Sequence, residues 1–223
     1  MKVIVLSAGR GSRIKKFTNS KPKCFIKINN KSIIERLLST FEINKLNDIS
    51  IITGYKSYLF KKFKFKKILN KKWKNTNMVY SLFLAKKVLL NNSCFICYSD
   101  IVFDYRVVKK LINNKIPNLI PYNSNWKINW KRRYKNPYSD LERFTFNRKN
   151  EILEIGGNVK SENQVMGQYM GILKISKSCS RKMFNFYKTL SKNEKMKISM
   201  TDFLQKFINE RKFNFKTLKL DYD

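Results

Sequence analysis

Histidine is missing from this sequence altogether. That removes imidazole general bases, Ser-His triads and His-containing zinc sites in one step. Cysteine is scarce. The four thiols, Cys24, Cys94, Cys97 and Cys179, suggest no secreted disulfide framework, and reduced thiols in a cytoplasmic setting fit best. Cys94 and Cys97 have redox spacing, but on a strand they would face opposite ways, and no second pair exists for zinc. Glycine and proline number only 7 and 4. With no Gly/Ser-rich or Pro-rich linker and no internal repeat, the 223 residues are expected to form one domain. No apolar run approaches the ~20 residues of a membrane span. The opening run Met1 to Leu6 is too short for a signal-peptide core and leads straight into a glycine loop.

Acids are the remaining shortage, with 15 Asp+Glu against 48 Lys+Arg and a formal charge of +33. Such a balance raises nucleic acid or an anionic surface as a partner. The lysines, however, run from Lys2 to Lys219 in company with asparagine and isoleucine. That reads as compositional drift with a general attraction for phosphates, ahead of a nucleic-acid site. The densest stretch, Lys61 to Lys74, interleaves Phe63, Phe65 and Trp73. Those rings could stack on bases, and the same pattern describes an amphipathic strand edge or a solvated face.

What is present is a 43% hydrophobic fraction, enough for a core, arranged in alternating periods. Val3 to Leu6, Ile49 to Thr53 and Cys94 to Tyr98 read as buried strands. Between them Ser32 caps a helix with apolar Ile33, Ile34, Leu37, Leu38 and Phe41, and Glu35 completes a capping box. Asn77 is an N-cap candidate for a helix carrying Met78, Leu82, Ala85 and Leu89. This βαβαβ succession implies a doubly wound, mostly parallel sheet. From Tyr122 to Tyr138 the chain turns rich in Trp, Tyr, Asn and Arg, bracketed by Pro121 and Pro137. Strands at Arg143 to Phe146, Ile152 to Ile155 and Met170 to Ile175 follow, with helices at Arg181 to Leu190 and Thr201 to Ile208. The expectation is one α/β domain, with a nucleotide-handling half at 1–122 and a cap-like insertion within an acceptor half at 123–223.

The chemistry concentrates in Leu6-Ser7-Ala8-Gly9-Arg10-Gly11-Ser12-Arg13, followed by Ser20-Lys21-Pro22-Lys23. Glycines directly after a first strand let backbone N–H groups approach an anion. Arg13 and Lys23 add fixed charge suited to a triphosphate and a leaving pyrophosphate. The dinucleotide fingerprint fails because its third glycine position is Ile14, and the Gly-Lys-Ser/Thr of a P-loop is absent. Asp100 ends a buried strand, where open α/β sheets place ligand-handling groups. It suits either Mg²⁺, a hard ion that favours oxygen ligands, or a helix cap.

These residues resemble the sugar-nucleotidyltransferase-like superfamily, whose signature is Leu-x-Ala-Gly-x-Gly-x-Arg followed by Pro-Lys. The resemblance implies a Rossmann-like fold in which the loop, with Leu6, Ala8, Gly9, Gly11 and Ser12, wraps an NTP while Lys23 contacts its phosphates. It also moves Asp100 toward metal and Mg²⁺ toward a cofactor. Within the superfamily the chain looks most like cytidylyltransferases acting on phosphocholine, 2-aminoethylphosphonate or phosphorylated glutamine. Supporting stretches are Asn75 to Met78, Tyr98 to Asp100, Arg133 to Glu142 and Gly167 to Gly171. Gly54, Tyr55, Asn77 and Ser81 are then expected at the base and ribose, against a plain reading as a strand-ending glycine and a capped helix. The partners implied are CTP, or another NTP, and a small phosphorylated or phosphonylated acceptor.

On the acceptor side Asp140 and Glu142 share one face of an extended segment and could receive an ammonium, or simply pair with Arg132, Arg133 or Arg143. Trp126, Trp130 and Tyr134 could cage a quaternary amine or pack in the core. Gln168 and Tyr169 could reach the acceptor phosphate. One departure stands out. The resembled group carries a late Glu-Ile-Asp metal motif, and here its place is taken by Lys219-Leu220-Asp221. Either Asp221 serves as a ligand, helped by Asp223, or the chain is cut short, or metal binding is impaired. A hexose 1-phosphate acceptor with UTP or dTTP, a basic RNA-binding protein and an inactive relative on the same scaffold stay open as alternatives.

Overall fold

The computed structural model describes residues 1–133, 141–211 and 213–220. The first half runs β1 (Lys2–Ser7), α1 (Lys15–Thr18), β2 (Lys27–Ile28), β3 (Lys31–Ser32), α2 (Ile33–Ile43), β4 (Ile49–Thr53) and β5 (Lys66–Leu69). It continues with α3 (Met78–Leu84), α4 (Lys86–Leu89), β6 (Cys94–Tyr98), α5 (Tyr105–Asn113) and β7 (Leu119–Asn123). The second half holds α6 (Trp126–Arg133), the hairpin β8 (Glu142–Phe146) and β9 (Ile152–Asn158), then β10 (Gln168–Tyr169) and β11 (Ile172–Ile175). It closes with α7 (Lys177–Thr189), α8 (Lys192–Lys197), α9 (Met200–Arg211) and β12 (Lys216–Lys219).

The main sheet has 8 strands in the order β10-β7-β11-β6-β1-β4-β5, with β12 beside β7. Strands β1, β4, β5 and β6 are parallel. β11 is antiparallel to both β6 and β7, so β7 again points with β6, and β12 runs parallel to β7. The expected Rossmann-like, mostly parallel sheet is therefore present. The carboxyl ends of β1, β4, β6, β7 and β12 share one edge, where such sheets bind ligands.

Side-chain alternation divides the core between the two faces of the sheet. Ile4, Leu6, Cys94 and Ile96 join one cluster with α3, α7 and α9. Val3, Val5, Phe95 and Cys97 join the other with α2 and α5. Cys94 and Cys97 thus face opposite ways as expected, and burial pushes both thiols up, Cys94 to about 12. The first cluster also takes in Phe144, Phe203 and Phe207 of the second half, so the two halves share apolar packing. The capping box on α2 forms, with Glu35 Oε2 accepting from the Ser32 N–H at 2.8 Å.

One segment differs from expectation and another follows one of its expected alternatives. The strand foreseen at Met170 to Ile175 begins only at Ile172, as β11, and is set off from β10 by Gly171, whose φ is +73°. A side chain there would press on the Tyr98 ring at 3.0 Å, so glycine alone keeps the strand break and Tyr98 compatible. The Lys61 to Lys74 run becomes the edge strand β5, flanked by a short turn of helix over Ser57–Lys62 and by a loop into α3. Lys66 and Lys67 are exposed on that edge.

Candidate active site

The glycine loop leaves β1 at Ser7 and turns at Gly11, where φ is +78°. A Cβ on Gly11 would lie 2.8 Å from Lys23 Cβ, so the missing side chain is what lets the Lys23 stem lie against the loop. Buried Thr18 braces the turn from below, its hydroxyl within 3.3 Å of both the Gly11 and Ile14 carbonyls. Among the described residues, no N–H of Gly9, Arg10 or Gly11 is spent on another backbone carbonyl. A loop whose donors are unspent beside a lysine is a ready anion cradle.

Lys23 Nζ lies 2.8 Å from Asp100 Oδ2, and both side chains are partly exposed. This pair sits in a cavity of about 270 Å³. Gly9, Gly11, Lys23 and Asp100 line one part of it, and Trp73, Thr76, Asn77 and Ser81 another, over a floor that includes Leu6 and Ala8. Cys24 also lines it, but burial pushes its thiol up to about 11, so it stays protonated and is no nucleophile.

Three expected residues lie elsewhere. Ser12, Gly54 and Tyr55 are not among the residues lining this cavity. Gly54 and Tyr55 instead form the layer behind the loop. The Tyr55 N–H donates to the Ala8 carbonyl at 2.9 Å, and its hydroxyl donates to the Thr18 carbonyl at 3.0 Å. A Cβ on Gly54 would meet both the Ala8 carbonyl oxygen and Trp73 Cβ at 2.6 Å. Glycine there allows Trp73 to close against the loop. Asn77 caps α3, accepting from the Met78 N–H at 2.8 Å, and still lines the cavity. Arg13's side chain, Tyr134, Asp140, Asp221 and Asp223 lie outside the described residues.

Asn70 escaped the reading of the sequence, and Trp73 entered it only as a ring able to stack on bases. Trp73 sat inside a lysine run that reads as a solvated face. Asn70, only 1% exposed, donates from Nδ2 to Thr76 Oγ1 at 2.9 Å and to Ser81 Oγ at 3.0 Å. Nothing in the local pattern marks it, because its partners lie in the loop and helix that follow.

Tyr98 carries the cavity toward the second half. Its ring meets Tyr169 edge-on, centroids 5.9 Å apart. Burial, with the Glu142 charge adding to it, pushes both hydroxyls well above the usual phenol range. Glu142 is therefore within electrostatic reach of a cavity residue. Glu142 Oε1 accepts from Thr201 Oγ1 at 3.0 Å. Of the expected alternative partners, Arg143 pairs with Glu154 at 2.9 Å, and the side chains of Arg132 and Arg133 lie outside the described residues. Thr201 comes this close because Gly156 adopts a φ of +87° and a Cβ there would lie 2.7 Å from Thr201 Cβ. Gln168 stands on β10 opposite Asn123, with a buried Oε1 that has no hydrogen-bond partner among the described residues. The aromatic cage does not assemble from the tryptophans. Trp126 is 5% exposed, packed with Leu141 and Val165, and Trp130 leans on the same cluster.

Comparison with known proteins extends this geometry. Residues 3–123 match the pattern of the MobA-like NTP transferase domain family. The CTP:phosphoglutamine cytidylyltransferase of Campylobacter jejuni is 32% identical over 237 residues, covering 99% of this chain and 93% of that protein. The choline-phosphate cytidylyltransferase of Streptococcus pneumoniae is 36% identical over 96 residues, covering 41% of this chain and 42% of that protein. Among solved structures, the inositol-1-phosphate CTP transferase from T. maritima superimposes with a TM-score of 0.73 at 18% identity, over 98% of this chain and 84% of that one.

Proposed function

The chain belongs to the MobA-like NTP transferase family, and on that premise we propose that it transfers CMP from CTP to a small phosphorylated or phosphonylated acceptor, releasing pyrophosphate. The observation that carries this reading is the cavity in which unspent loop N–H groups, Lys23 and Asp100 come together. The family relationship makes it an enzyme that acts on an NTP. CTP as the nucleotide, and a phosphoryl or phosphonyl acceptor, follow from what the relatives are named for.

An acceptor oxygen attacks the α-phosphorus in line, a new P–O bond forms, and the bond to the β-phosphate bridging oxygen breaks. The nucleophile is a phosphate or phosphonate oxygen, already anionic at neutral pH. No general base is needed, in keeping with a chain that has no histidine. The work left to the protein is positioning and charge neutralisation. Lys23, with Arg13, would hold the phosphates and stabilise the departing pyrophosphate, and the loop N–H groups would orient the chain of phosphates.

Family members generally use a divalent metal, and magnesium fits the donor set. Asp100 offers a partly exposed carboxylate on the cavity wall. Among the described residues no three acidic, histidine or cysteine groups cluster to hold a metal unaided. A single carboxylate suits Mg²⁺, which keeps waters and takes further ligands from substrate phosphates. When bound it would supply charge neutralisation on the triphosphate.

Glu142, oriented by Thr201, would receive a positive nitrogen of the acceptor, with Gln168 and Tyr169 beside it. Asp140 belongs to the same segment of sequence. The whole of 1–223 is read as one domain, because residues of both halves share the first core cluster. The test is pyrophosphate release from each of the four NTPs against a panel of phosphorylated and phosphonylated amines, alcohols and sugars. The expected result is turnover with CTP and an amine-bearing acceptor. Turnover confined to hexose 1-phosphates with UTP or dTTP would overturn the reading.

A further inference from the structure

The polarity of the cavity wall at Thr76 and Ser81 can be worked out atom by atom. Asn70 is almost fully buried, and its Oδ1 accepts from the Lys72 backbone N–H at 2.9 Å. A backbone N–H can only donate, so this contact fixes which end of the amide is which. The two Nδ2 protons must then point the other way, one to the Thr76 hydroxyl at 2.9 Å and one to the Ser81 hydroxyl at 3.0 Å. Each hydroxyl therefore uses one lone pair on Asn70. Thr76 sends its own proton to the Lys72 carbonyl at 2.9 Å, and Ser81 sends its proton to the Asn77 carbonyl at 3.4 Å. A hydroxyl has one proton and two lone pairs. What each has left for the cavity it lines is a lone pair and no donor.

We infer that Asn70 is a positioning residue for nucleobase choice, locking Thr76 and Ser81 as paired acceptors that select a pyrimidine with a 4-amino group over one with a 4-oxo group. The inference rests on the nucleotidyltransferase reading for its ligand and goes beyond it in naming what discriminates. Cytosine presents a two-proton donor at that position, and a 4-oxo pyrimidine presents an acceptor. Two fixed acceptors facing an oxo group leave three oxygens without a proton among them, which is how a polar site rejects the wrong partner. The glycine loop and Lys23 occupy the phosphate-compatible part of the cavity, so the base is left with the wall that holds Thr76 and Ser81.

The test is calorimetric binding of CTP and UTP, each with MgCl₂, to the full chain. It needs no acceptor, so its outcome is separate from that of the turnover assay. The wild-type protein should bind CTP at least about tenfold more tightly than UTP, the scale of one good base contact. Asn70→Leu frees both hydroxyls to turn and should shrink the CTP/UTP ratio toward one. Ser81→Ala and Thr76→Val keep the amide and remove an acceptor each, and should weaken CTP while leaving UTP nearly unchanged. These two surface-of-cavity changes keep the question open to test should Asn70→Leu fail to fold. Equal affinity of the wild type for CTP and UTP overturns the inference. So does an equal loss of both nucleotides in the Ser81 and Thr76 variants, which would make the network merely structural. Tight, selective CTP binding without turnover on any acceptor would instead sink the catalytic reading and leave the base-selecting wall standing.

Discussion

In the first half, the glycine loop and the wall of Thr76 and Ser81 are each built from their own neighbourhood, and the parallel sheet then sets Asp100 against Lys23 from 77 residues away. Gly11 and Lys23 flank the short α1 and touch across it, while Asn70, Thr76 and Ser81 span a single loop and the first turns of α3. In the second half, Glu142 is held by Thr201, 59 residues away, and only because Gly156 lets α9 press against the hairpin. A locally built site can lose a functional group without loosening its scaffold. A site assembled from distant segments couples function to packing. Changes in the two halves should therefore leave different signatures.

The largest effect is expected on the local side. Lys23→Ala should lower pyrophosphate release by roughly 10³-fold, the scale of removing a preorganised charge at a developing anion. Its melting temperature should stay close to wild type, because the Lys23–Asp100 pair is partly exposed and such pairs add little stability. A variant that melts early would erase the proposed contrast. Asp100→Asn comes next and should abolish the response of turnover to added Mg²⁺; a rate and metal titration like those of wild type would make Asp100 a plain partner of Lys23.

On the assembled side, Gly156→Ala forces a side chain into a left-handed backbone and against Thr201. We expect a loss of about 1–3 kcal/mol in stability together with a raised acceptor KM. If chemical denaturation finds the fold unweakened, α9 is not docked as described. Glu142→Gln is gentler and should raise the acceptor KM about tenfold with the CTP KM unchanged, since the charge pairing to one ligand is removed while an acceptor oxygen stays.

How far the sequence could be read follows the same division. The loop signature, the α2 capping box and the alternation of the core strands are local, and each forms where its spacing predicts. Tyr55 follows directly on a strand end at the cavity edge of the sheet, which made the base a reasonable neighbour for it. Only the fold shows that its hydroxyl turns back to Thr18. Asn70 reads as one more asparagine in a lysine-rich run, and burial behind Ser81 is what gives it meaning. Trp126, with Trp130 and Tyr134, suited a cage or the core equally by sequence, and Leu141 and Val165 enclose it in the core, a pairing no periodicity announces. Thr201 looks like a helix-starting threonine until Gly156 brings it to Glu142.

The smallest expected effect sharpens the local side again. The Lys62 hydrogen bond, aided by Ser32, holds Glu35 down to about 2 from 4.5. A depressed carboxylate contributes stability above its unfolded value and loses it as pH falls through its folded one. The window runs from about pH 4.5 down to about 2. Glu35→Gln should flatten that part of the melting-temperature profile and leave the profile between pH 6 and 8 alone. A slope unchanged in acid would mean that the capping box contributes by geometry only.

The edge strand β5 bears on how copies of the chain behave toward one another. Its outer side offers unpaired backbone groups, the usual template for edge-to-edge growth. With Lys66 and Lys67 exposed along it, a second copy approaching in register would bring ammonium groups face to face. That repulsion acts as a colloidal guard, and it works only as far as salt permits, over ~10 Å at 0.1 M and ~3 Å at 1 M. Light scattering should find the protein best dispersed in dilute buffer and increasingly prone to self-association as ionic strength climbs.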